Sequence, residues 1–323
     1  MKIIFFGSAH FAVPSLKALI KSGHEVSCVV TQPDKKKGRH MHLSGTDVKT
    51  TAEKAGLEIF QPGDIKSKES VEFLRGFKAD IFVIVAYGQI LSQEVLDIPK
   101  IMPLNIHASL LPRYRGAAPI NWAIINADKK TGVSIMYVSL KMDSGPVIMQ
   151  KEIGIDKQDT AVSLEEKLRL LGAELLMDAL KAIEERDYRL IEQDEEKVII
   201  APKLKKEDGL IDWSAHAPDI HNQVRGVLPW PGAFTVYRGK MLKIFNTETI
   251  AAFPGHKPVP GEIVRADKHE IVVACGRGFL SIRELQIEAG RRMCAHSFVV
   301  GHRLKAGEVL GSSHIRHSRN DTK

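Results

Sequence analysis

The chain has 323 residues, 44% of them hydrophobic and 26% charged, which is the balance of a folded soluble protein with room for two domains. Its formal charge of +7 is local: residues 201–323 hold 19 Lys and Arg against 12 Asp and Glu, whereas residues 1–200 hold 27 of each, so the last third reads either as a basic domain for a polyanion or as a merely soluble basic one. No apolar run is long enough to cross a bilayer, the apolar start is too brief for a secretory signal, and the three cysteines (Cys28, Cys275, Cys294) fit neither a disulfide framework nor a metal site, all of which predicts a cytoplasmic, reduced protein.

Lys2 to Phe6 reads as a strand closed by Gly7-Ser8, Phe11 to Ser22 as a helix with Pro14 in its first turn, and Val26 to Thr31 as a second strand. This opening predicts a mostly parallel sheet covered on both faces, a Rossmann-like α/β domain. The first turn is Gly-Ser-Ala-His-Phe and lacks the G-x-G-x-x-G fingerprint, which argues against a nicotinamide cofactor. Lys35, Lys36, Lys37 and Arg39 then crowd a loop that is either a phosphate contact or a solvated charge run. Thr50 to Ala55 and residues 64–77 read as helices, and Leu57 to Phe60 as a short strand. Ile81 to Ala86 is a buried central strand with Tyr87-Gly88-Gln89 at its carboxyl end, where open sheets place ligands.

Residues 104–119 run from strand into a long polar loop. Asn105 and His107 are two apart and therefore share a strand face, where an amide and an imidazole can grip one carbonyl oxygen. A satisfied core histidine is the plainer reading. A second segment, Leu140 to Pro146, follows the strand Val133 to Val138, and its Asp143 could reach His107 and set its tautomer and ring angle.

Pro119 to Ile125 reads as a helix. A longer helix, capped by Asp159 or Thr160, carries the apolar stripe Leu164, Leu168, Leu171, Leu175, Ile183. Composition turns polar over 189–207, read as a linker between a domain at 1–188 and another at 208–311, with 312–323 as a mobile tail. Short strands (Leu210–Trp213, Phe234–Tyr237, Met241–Phe245, Glu262–Arg265, Ile271–Ala274, Phe279–Arg283) around the helix Pro218–Arg225 predict a small OB-like β-barrel, a fold that commonly binds nucleic acid.

Asn105-x-His107-x-Ser109-Leu110-Leu111-Pro112 followed by Asp143-Ser144-Gly145 resembles the signature of the 10-formyltetrahydrofolate-dependent formyltransferases. The resemblance implies that Asn105, His107 and Asp143 are catalytic and that Ser109, Leu110, Leu111, Pro112, Tyr87 and Gly88 line the folate site. It implies 10-formyltetrahydrofolate as co-substrate and no metal. Leu228-Pro229-Trp230-Pro231-Gly232-Ala233 and the 291–307 segment resemble the branch of that family acting on initiator methionyl-tRNA. In that branch Arg39 falls on a functional arginine. Lys35, Lys36, Lys37, Arg291, Arg292, Arg303 and Lys305 are the further cations expected on tRNA. The 35–47 loop departs from the branch, with Lys36 in place of a Pro and His40 in place of a Gly. The alternatives are a formyltransferase for glycinamide ribonucleotide or an amino sugar nucleotide, and a non-catalytic RNA-binding relative. A monomer is expected.

Overall fold

The computed structural model describes residues 1–37, 42–250, 252 and 259–311, so Arg39 and the expected tail at 312–323 lie outside the described residues. The chain divides into two compact units: one of Met1–Pro119, Lys130–Ile155 and Ser163–Pro202, the other of Ile120–Lys129, Asp156–Val162 and Lys203–Lys323.

The first unit is built on a seven-stranded sheet. Its strands are β1 (Lys2–Gly7), β2 (Glu25–Val30), β3 (Ile59–Phe60), β4 (Ile81–Val85), β5 (Met102–His107), β6 (Lys130–Tyr137) and β7 (Val147–Gly154), in the order β7-β6-β5-β4-β1-β2-β3. From β5 to β3 every pairing is parallel, while β6 and β7 add on antiparallel. The β-branched run of β4 lies between β1 and β5 with Ile81, Phe82, Val83 and Val85 fully buried, and burial of each such side chain stabilises the fold by roughly 1.5–3 kcal/mol. Helices α1 (Val13–Lys21), α2 (Asp47–Lys54) and α3 (Lys68–Gly76) follow, and the hydroxyls of Thr46 and Ser67 cap the last two by accepting N–H bonds from Lys49 and Ser70. The long helix α4 (Ala161–Glu185) crosses the sheet at Gly172, where a Cβ would stand 3.0 Å from Ile106 of β5.

Three expectations change here. Lys35–Lys37 is not loop but a short strand, paired antiparallel with His42–Ser44. Val147–Gly154 is an edge strand whose mostly exposed, charged run concealed it from the apolar pattern. Residues 189–202 are not a free linker. They belong to the first unit, where Ile191 exchanges two backbone hydrogen bonds with Val147, and Ile200–Ala201 pairs in parallel with Arg115–Gly116.

In the second unit β8 (Ala233–Tyr237), β9 (Lys240–Ile250), β10 (Ile263–Ala266), β11 (Ile271–Ala274) and β12 (Phe279–Ile287) form an antiparallel sheet in the order β8-β9-β12-β11-β10, with Met293–Cys294 added on β12. Its inward residues pack with Trp213, with Ile220 and Val224 of α5 (Ala217–Gly226) and with Phe298 of α6 (Ala295–His302) into one core. The strand expected over Leu210–Trp213 shrinks to one bridge from Leu210 to Phe234, because the Asp212 carboxylate accepts from the backbone and hydroxyl of Ser214 and turns the chain.

Cys28 and Cys275 are buried and burial pushes both thiols up to about 12, whereas exposed Cys294 is lowered by the Ser297 hydroxyl and by backbone N–H groups at the start of α6. A thiol reagent at pH 8 is therefore expected to label one cysteine of the native protein quickly and the other two after denaturation. Fast labelling of more than one would show the core contacts to be wrong.

Candidate active site

The site grows from the carboxyl end of β5. His107 is buried there, with Asn105 two residues before it on the same face. The Nε2 of His107 lies 2.9 Å from the backbone carbonyl of Tyr114. A carbonyl can only accept, so Nε2 carries a hydrogen and donates it. That contact fixes the tautomer and leaves Nδ1 as the working nitrogen. Asp143 Oδ2 stands 3.7 Å from Nδ1, within ion-pair range and too long for a hydrogen bond. The sequence expectation is thus refined: Asp143 does come to His107, but the Tyr114 carbonyl and not the carboxylate decides which nitrogen carries the hydrogen of the neutral ring. The half-buried Asn105 carboxamide has no hydrogen-bond partner among the described residues.

Two strained turns hold this arrangement. Tyr114 has φ +61° and Asp143 φ +49°, both in the left-handed region that side chains avoid. The backbone N–H of Gly116 donates to Asp143 Oδ2 at 2.8 Å. Gly145 fits because a Cβ there would fall 1.9 Å from the Tyr137 carbonyl oxygen. The loop between His107 and Tyr114 is tied from beneath. Ser134 Oγ of β6 donates to the Ser109 carbonyl and accepts the Leu111 N–H, and Gln150 of β7 donates to both Ser134 Oγ and the Leu111 carbonyl.

Several expected ligand-lining side chains are engaged elsewhere. Ser109 is fully buried with its hydroxyl donating to the Arg113 carbonyl, so it shapes the loop. Leu111 is buried against Met136 and Val147, and the Leu110 side chain lies over Gly132. Leu110, Leu111, Pro112 and Arg113 line a cavity of about 390 Å³ with Glu196–Ile199. Tyr87 is core, packed edge-on against Phe6, and burial drives its phenol well above the ordinary value, whereas Gly88 is exposed with φ +89°. Sequence reasoning missed Ile90, Leu140 and Met142, which expose 74, 61 and 64% of their surface from the loops beside β4 and Asp143. Apolar residues in polar loops were the available signal. Of the expected cations, Lys35 is exposed, as are Arg291, Arg292, Arg303 and Lys305 of the second unit; Arg292 pairs with Glu284 and lies over the Phe245 ring. Lys36 and Lys37 lie on the paired strand described above.

The chain thus joins a Rossmann-like sheet, with Asn105 and His107 at the end of β5 and Asp143 beside them, to an antiparallel second unit. Residues 1–180 match the formyl transferase family and residues 203–303 match its C-terminal domain. The fold is shared with an N-formyltransferase from Helicobacter canadensis (TM-score 0.66, 18% identity, 91% of this chain and 100% of that one). It is shared too with HypX from Aquifex aeolicus, solved with tetrahydrofolic acid (TM-score 0.62, 20% identity, 94% of this chain and 48% of that one), so the chain spans about half of HypX. The chain belongs to the formyl transferase family. Within it, the methionyl-tRNA formyltransferase of Acetivibrio thermocellus is 46% identical over 96% of this chain and 100% of that protein. That of Citrifermentans bemidjiense is 43% identical over 96% of both.

Ser134 is fully buried and serves three polar groups at once. Ser134→Ala is expected to lower stability by about 1–3 kcal/mol, the cost of leaving such groups unpaired. A urea-unfolding midpoint equal to wild type would remove this support from the site.

Proposed function

We propose that this chain transfers the formyl group of 10-formyltetrahydrofolate to the α-amino group of methionyl-initiator-tRNA, as a monomer in the cytoplasm. The observation that carries the reading is the His107 ring, tied at Nε2 and open at Nδ1 beside the Asp143 carboxylate. Every group of that site comes from one unit of one chain, which supports a monomer.

The acceptor amine sits next to an ester that withdraws electron density, so part of it is unprotonated near neutral pH and nucleophilic. Its nitrogen bonds to the formyl carbon as the bond to the folate nitrogen breaks. The amine gives up one proton and the departing nitrogen takes one. Asn105 and the Nδ1–H of His107 hold the carbonyl oxygen as negative charge gathers on it. Asp143 stabilises the charged ring, and its second oxygen, which has no hydrogen bond among the described residues, is open to the amine's proton. The folate supplies an activated formyl group on an arylamine, a nitrogen that leaves readily. We assign exposed Ile90, Leu140 and Met142 to the apolar faces of its flat ring system.

The tRNA reading over a small nucleotide acceptor is favoured by the charge of the last third and by the full-length likeness to methionyl-tRNA formyltransferases. Lys35, Arg291, Arg292, Arg303 and Lys305 are the cations we assign to phosphates. The test is transfer of labelled formyl from the folate to charged initiator tRNA. Asn105→Ala and His107→Ala are each expected to lower kcat about 10²- to 10³-fold, the loss typical of one oxyanion donor. A variant within threefold of wild type would remove that residue from the chemistry. Raising salt from 50 to 200 mM is expected to raise KM for tRNA steeply and to leave KM for the folate unchanged. Equal response of both would sink the assignment of a phosphate-binding surface.

A further inference from the structure

Asp143 is held in a conformation that costs free energy, and something must over-determine it. The segment after α4 contains that device. One carboxamide, Gln193, donates from Nε2 to two carbonyls of the turn, Asp143 at 2.8 Å and Gly145 at 2.7 Å. Its Oε1 accepts from the Nε of Arg115 at 2.9 Å, which fixes which end of the amide faces the turn. Arg115 is buried and also donates to Glu195, whose carboxyl is held below its ordinary value first by that bond and then by one from Lys141, itself in the Asp143 loop. The same segment continues into Ile200–Ala201, which pairs with Arg115–Gly116 and so aims the Gly116 N–H at the Asp143 carboxylate. Gly116, at φ +122°, admits this strand because a Cβ there would stand 2.6 Å from the Ala201 carbonyl oxygen.

We infer that Gln193, oriented by Arg115, is a positioning residue of the transferase: it sets the Asp143 turn, and through it the distance between carboxylate and imidazole. The inference rests on the function proposed above but touches neither substrate. Gln193 hydrogen-bonds Arg115 and the backbone of Asp143 and Gly145, so its removal acts first on the alignment of Asp143. Such a loss falls on kcat.

Two variants of the full chain test it. Gln193→Met removes both donors and the acceptor at similar volume, and Gln193→Glu keeps an acceptor for Arg115 but has no donor for the two carbonyls. Both are expected to lower kcat about tenfold or more with KM for tRNA within twofold of wild type. The imidazole signals of His107 in ¹H–¹⁵N spectra, identified by their loss in His107→Gln, are expected to shift in both variants. Wild-type kcat, a fall in kcat/KM caused by KM alone, or unmoved His107 signals would overturn the inference. If wild-type protein itself transfers no formyl group, the functional reading fails, while the His107 signals still report whether Gln193 sets the turn.

Discussion

The hydrogen bond from His107 Nε2 to the Tyr114 carbonyl is the constraint on which the site depends. An imidazole has two nitrogens and no other way to declare which one works. By tying Nε2 to a group that can only accept, the fold decides the tautomer without using a side chain. The carboxylate is then released from that task. At 3.7 Å, Asp143 lies within ion-pair range of Nδ1 without forming a hydrogen bond to it.

Holding that distance requires two loops to keep register with each other, and both carry left-handed residues that a free loop would abandon. The first is braced by Ser134 of β6 and Gln150 of β7, the two antiparallel strands of the sheet. Bracing of the second comes from residues 191–201, which bond to Val147 at one end and to Arg115–Ala118 at the other. Rigid strands thus fix one loop and a strap fixes the other. The charged groups of the strap are arranged accordingly: Arg115 is buried but never alone, because Gln193 and Glu195 both accept from it.

The parts legible in the sequence were those whose meaning is carried by side-chain type at short spacing. The β-α-β opening, the buried run of β4 and the shared strand face of Asn105 and His107 follow from periodicity, while a role for that pair came from resemblance to a family signature. Asp143 was within reach because it sits in a turn after a strand. The Tyr114 carbonyl and the Gly116 N–H were not, since every residue owns such groups and nothing marks the ones that matter. Gln193 stands 50 positions from the backbone it holds, in a polar stretch whose composition reads as linker. Ser109, Leu111 and Tyr87 belong to the signature or lie beside it, and all three side chains are buried, the Ser109 hydroxyl on the Arg113 carbonyl and the Tyr87 ring against Phe6.

Charge completes the division of labour. The first 200 residues are formally neutral, and the whole excess of +7 lies in residues 201–323. In the second unit Arg238, Arg283 and Arg292 pair with Glu308, Glu248 and Glu284 on the surface. Such exposed pairs contribute little to stability, but they order long side chains on the sheet. Arg292 shows the consequence: drawn to Glu284, its guanidinium lies 4.4 Å over the Phe245 ring and presents a flat cationic face.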